Sequence, residues 1–135
     1  MFDSSNIITI DSDKNTLWDI LRELKEESGN RIPACAIISA EGLPIESNMM
    51  SSDEINEPKL AAMGAAMVSL GVTAGREFAQ GIFEEIYVES SEGFMLVRQA
   101  GMSACVVAVC NKDAKLGLVK HLLKGAAEKV SKIMS

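Results

Sequence analysis

The stretch Leu60–Gly75, LAAMGAAMVSLGVTAG, carries no charge, in a chain of 135 residues that is 24% charged. Lys59 stands immediately before it and Arg76 immediately after. Its alanines, methionines and leucines favour a helix, and it is too short and too glycine-rich to span a membrane. Wound at about 100° per residue, it separates into three stripes. Leu60, Met63, Met67, Leu70 and Ala74 form a bulky stripe. Ala61, Gly64, Val68, Gly71 and Gly75 form a small one, about 110° away. Ala62, Ala66, Ser69 and Thr73 form the third, mildly polar and opposite the other two. A helix that is apolar on two stripes needs cover from two directions. The bulky stripe is expected on the chain's own sheet and the small stripe against the same helix of a second copy. Glycines let two backbones approach and otherwise only weaken a helix, by about 0.5–1 kcal/mol each. The polar stripe, framed by Lys59 and Arg76, then forms a charge-free shelf for a partner. With the small stripe on the sheet instead, the polar stripe would face the twin and the shelf would be lost.

Outward from this helix, the remaining elements follow from local signals. Asn56 is the expected cap, with Pro58 in the first turn and Gly81 as the stop after about Gln80. Upstream, Ala34–Ser39 reads as a strand. Ala40-Glu41-Gly42 turns the chain, and Leu43–Ser47 returns, followed by a loop over Met49–Ile55. Before these, Thr16 caps a helix with Leu17, Ile20, Leu21 and Leu24 on one stripe and an acidic outer face, ended by Gly29. Downstream, Glu84–Glu89, Phe94–Gln99 and Ala104–Cys110 are strands joined by short turns, which makes the sheet antiparallel. The last of them is apolar on both faces and belongs at the centre. A final helix, with Asp113 as its expected cap, repeats Leu116, Val119, Leu123, Ala126, Val130 and Ile133 at helical spacing. The expected order is αββαβββα, with strands arranged 2-1-5-4-3. The central helix lies on one face and the terminal helices on the other: an α+β three-layer sandwich of the α/β class. Residues 16–135 make one domain, and residues 1–15, with Ile7, Ile8 and Ile10, an N-terminal arm.

Composition narrows the function. The net charge of −6 disfavours nucleic acid and anionic membrane surfaces. Cys35, Cys105 and Cys110 are odd in number and sit within apolar runs, as reduced core thiols of a cytoplasmic protein do. The N-terminus lacks the features of a signal peptide. The segment 112–132 holds six lysines against Asp113 and Glu128, so it carries +4 and the rest of the chain −10. That segment is expected to balance the acidic first helix. Chemistry has little to stand on: His121 is the single histidine, Cys105 and Cys110 point to opposite faces of one strand, and no phosphate-cradling glycine loop is present. No catalytic residue, cofactor or metal is expected.

The residues ACAIISAEGLPI (34–45), KLAAMGAAMVSL (59–70), EGFMLVRQAG (92–101) and NKDAKLGLVKHLLKGAAEKV (111–130), in that order, resemble the Roadblock/dynein light-chain domain family. The resemblance covers residues 16 to 134 and implies a fold of the profilin- and longin-like type. It further implies a homodimer built by pairing central helices and joining third strands into one sheet. The dimer residues would be Ala61, Gly64, Val68, Gly71 and Gly75 on the helix and Glu85, Tyr87 and Val88 on the edge strand. Members of that family act as non-enzymatic platforms for small Ras-like GTPases or as light chains of a dynein motor. The expected role is therefore a regulatory scaffold for such a GTPase, with Lys59, Ala62, Ala66, Ser69, Thr73 and Arg76 meeting the partner. The alternative is an assembly dimer without effect on nucleotide hydrolysis. An enzyme or ligand sensor on a related sandwich would need a polar pocket that the sequence does not show.

Overall fold

The computed structural model of the protein describes residues 16–50 and 52–134. The expected N-terminal arm, residues 1–15, lies outside the described residues. The elements are α1 (Leu17–Glu27), β1 (Ala34–Ser39), β2 (Pro44–Met49), α2 (Glu57–Glu77), β3 (Glu85–Ser90), β4 (Gly93–Ala100), β5 (Ala104–Asn111) and α3 (Leu116–Met134). The five strands form one antiparallel sheet in the order β2-β1-β5-β4-β3, the order expected from the turns and from the doubly apolar fifth strand.

Caps and turns fall where their residue types dictate. The Thr16 hydroxyl accepts from the Asp19 backbone N–H at 3.2 Å, and the Asn56 side chain accepts from that of Lys59 at 3.0 Å. Gly42 takes φ +89° between β1 and β2, a conformation that a side chain disfavours. Some boundaries differ from expectation. β2 continues to Met49 because it pairs with β1 out to Ala34. α2 stops at Glu77, since Phe78 leaves helical geometry and Ala79 turns left-handed. Asp113 does not cap α3, which starts at Leu116; its carboxylate is instead ion-paired with Arg31.

Two cores flank the sheet. α1 and α3 cover one face with Leu21, Leu24, Leu123 and Val130 over Cys35, Ile37, Leu96 and Val106. α2 covers the other, with Leu60, Ala61, Met67 and Val68 over Ala34, Ala36, Ile38 and Val107. The α2 packing corrects one expectation. The small stripe, not the bulky one, is seated on the chain's own sheet: Ala61, Gly64 and Val68 are buried. A Cβ on Gly64 would lie 2.7 Å from Ile38 and 2.9 Å from Val107, one on Gly75 would lie 2.8 Å from the Gly81 carbonyl, and one on Gly71 would run into the Phe83 ring. The glycines serve close approach, but within the protomer. Ala61, Gly64 and Val68, expected at a helix pair between copies, are instead spent on the chain's own sheet, and Gly71 and Gly75 approach Phe83 and the Gly81 carbonyl. The reason is volume. β1 and β5 already fill the layer with Ile38, Val107 and Cys105, so only a helix surface of small side chains can come close.

Candidate partner-binding surface

With its small stripe on the sheet, α2 turns the rest of its circumference outward. The bulky stripe splits. Leu60 and Met67 wedge against the sheet, while Met63 and Leu70 stay 51% and 64% exposed. The polar stripe, Ala62, Ala66, Ser69 and Thr73, is exposed along its whole length. On the helical wheel it lies about 180° from the sheet-facing residues, so it forms the crest. Lys59 and Arg76 stand exposed at its two ends. The Lys59 ammonium donates to the carbonyls of Asp53 and Glu54 at 3.1 and 3.3 Å, which holds it against the preceding loop. Arg76 makes a 3.9 Å contact with Glu77 beside it. The crest itself holds no charge and is open to solvent in the single chain.

The flank carrying Met63 faces the outer strands. Leu60 and Met63 line a groove with Ile55, Met95 and Val109. Ile55, Met95 and Val109 also line a second groove, which includes Val88 and Phe94. Because they share Ile55, Met95 and Val109, the two run together as one apolar trench beside the start of α2. Sequence reasoning missed this trench. Met95 lies between Phe94 and Leu96 in an unbroken apolar run, so alternation could not mark it, and where a helix leaves a groove depends on where it crosses the sheet.

β3 forms the free edge of the sheet beside the trench. The Gln99 N–H donates to the Glu84 carbonyl at 2.9 Å, so hydrogen-bonded pairs recur at Ile86–Val97, Val88–Met95 and Ser90–Gly93. By that alternation the backbone N–H and C=O groups of Glu85, Tyr87 and Glu89 point away from β4, where no described strand pairs with them. Among the expected edge residues, Val88 is 44% exposed on the α2 face. Tyr87 packs on the opposite face against Phe94, with ring centroids 5.7 Å apart. The Glu85 carboxylate is engaged within the chain, at 3.3 Å from Arg98 and 3.4 Å from Lys120.

The opposite face offers less. Lys129 reaches Glu23 of α1 at 3.4 Å, so part of the basic charge of α3 is matched to its acidic neighbour. His121 is exposed at the groove between α1 and α3, with Glu23, Glu27 and Lys129 around it. Burial pushes the Cys35 and Cys110 thiols up to about 12 and the Cys105 thiol up to about 11, far from a reactive thiolate. Among the described residues, no three or more His, Cys, Asp and Glu side chains stand together as a metal site, and no helix is long and apolar enough to cross a membrane.

Residues 16–109 match the model of the Roadblock/LC7 domain family. The protein MJ1340 of Methanocaldococcus jannaschii is 30% identical over 82% of this chain and 93% of its own. Among solved structures, the gliding protein MglB of Thermus thermophilus superimposes with a TM-score of 0.78 at 22% identity, over 87% of each chain. Profilin IB of Acanthamoeba castellanii shares the fold more loosely, with a TM-score of 0.63 at 13% identity over 89% of this chain and all of its own.

Proposed function

This chain belongs to the Roadblock/LC7 domain family, and from that premise we propose that it is a homodimeric regulatory scaffold that binds a small Ras-like GTPase. Family membership supports the regulatory or scaffold role. The dimer and the GTPase are our reading of the surface. One observation carries it: an uncharged α2 crest stands beside an apolar trench and an edge strand whose outward hydrogen-bonding groups pair with no strand among the described residues. The edge also lacks the proline or lysine that would deter pairing. β3 would pair with its twin, antiparallel. The Met63–Leu70 flank of α2 and the trench would be covered by the second copy. The two crests, Ala62, Ala66, Ser69 and Thr73, framed by Lys59 and Arg76, would stay open as a platform. The chain would contribute no catalytic group, and any effect on hydrolysis would come from positioning the GTPase's own residues.

The test is co-purification of the tagged protein with GTPases of its own organism, loaded with GTP or GDP, beside the variant Thr73→Glu. The expected result is nucleotide-dependent capture by the native protein. The variant should lose capture while its melting temperature and dimer mass stay unchanged. Capture that ignores the nucleotide would favour an assembly subunit. Capture that survives Thr73→Glu would remove the crest from the interface.

A further inference from the structure

Two large side chains at the end of α2 stand in water: Phe78 is 75% and Ile82 90% exposed. The backbone that carries them is stiff. The Phe78, Ala79 and Gln80 N–H groups donate to the Ala74, Arg76 and Gly75 carbonyls at 3.1, 3.3 and 2.7 Å. Ala79 is held at φ +54° and Gly81 at φ +92°. A non-glycine residue at positive φ is uncommon and is retained where the surroundings enforce it. Beneath the tip, Phe83 is buried against Gly71 and anchors it to the protomer. The result is a preorganised apolar knob that no other described residue covers.

The trench is the matching hole. Ile55, Met63, Val88, Met95 and Val109 line it, on the same side of the sheet as the knob. The knob precedes the Glu85 end of β3, and the trench lies toward the Ser90 end. Antiparallel pairing of two β3 strands sets the Glu85 end of one copy beside the Ser90 end of the other. A two-fold axis therefore carries each knob toward the partner's trench, twice over, as an isologous interface requires. We propose that Phe78 and Ile82 of each copy seat in the Ile55–Met95–Val109 trench of its partner and lock the relative tilt of the two protomers. This deepens the dimer reading above and rests on it. With knobs and trenches consumed, the crests of α2 are the uncharged helix surface left for a third protein.

Ile82 is almost fully exposed, so substituting it does not threaten the protomer. Chains carrying Ile82→Cys and chains carrying Met95→Cys, of different tagged mass, are mixed, allowed to exchange and mildly oxidised. The three native cysteines are buried. A disulfide-linked heterodimer in large excess over either linked homodimer is expected, and Ile82→Asp should raise the dissociation constant at least tenfold. A dimer of native mass that yields no heterodimer cross-link, and that Ile82→Asp leaves unweakened, overturns the knob and trench while the joined sheet stands. A native protein that sediments as a monomer at micromolar concentration overturns both.

Discussion

Gly71 stands where α2 crosses Phe83, and there is no room for a side chain between them. Replacing it with leucine would favour the isolated helix by somewhat under 1 kcal/mol. Overpacking a filled contact costs about 1–3 kcal/mol, so the steric effect should win. Because this clash lies inside one protomer, Gly71→Leu should lower the urea midpoint equally at low and high protein concentration. A loss that appears only where the dimer forms would place Gly71 between copies instead. The cysteines give a second residue-scale expectation. Each thiol is buried, which raises its folded pKa above the ordinary value of 9.0. Below pH 9 both folded and unfolded states keep the thiol proton, so the contribution is constant. Above it the unfolded chain loses protons first, so folding stability should fall as pH rises from about 9 toward 12. Substituting Cys35 by alanine should flatten that slope in a series of denaturant melts between pH 8 and 11.

Among the elements, β3 and α3 make opposite kinds of claim. The outward N–H of Tyr87 takes no part in the β3–β4 ladder, so Tyr87→Pro should leave the protomer folded. Proline is tolerated on an edge strand for that reason. It would remove the donor needed by a twin, and the dimer should weaken by an amount that sedimentation equilibrium resolves. Undiminished dimerisation would argue against a joined sheet. α3 carries lysines, but Lys129 and Lys120 are answered by Glu23 and Glu85. Exposed pairs of this sort are worth about 0–1 kcal/mol and are screened by salt. Binding to anionic vesicles should therefore vanish at physiological ionic strength. Binding that persists would make the helix a membrane-facing element rather than the counter-charge of α1.

For the whole molecule, the exposed side chains Met63, Leu70, Phe78, Ile82 and Val88 lie on α2, the tip that follows it, and the β3 edge. Monomers rarely expose connected apolar surface of this kind without using it. The protein should sediment as a dimer at micromolar concentration and resist dilution, and a single monomeric species there would contradict the scaffold reading. The crest of α2 remains neutral in a chain of net charge −6. A negative charge at Thr73 should thus separate partner binding from assembly, since it touches neither the sheet nor the Met63–Leu70 flank proposed to meet a twin.

Much of this architecture was legible from local chemistry. Turn glycines, the Thr16 and Asn56 caps and the two-sided apolarity of Ala104–Asn111 were enough to place the strands in order 2-1-5-4-3 with helices on both faces. Those signals act over a few residues, so they survive without knowledge of neighbours. The division of α2 into three stripes was legible too, but not which stripe meets the sheet. Helical periodicity gives relative angles and says nothing about rotation, which depends on the volume that β1 and β5 leave free. Ile38 and Val107 leave little, so the glycines went inward and Met63 and Leu70 outward. The trench and the knob arose only in three dimensions. One is a groove where the start of α2 meets Met95, Val109 and the loop at Ile55. The other is a tip held by bonds from 78, 79 and 80 back to 74, 76 and 75.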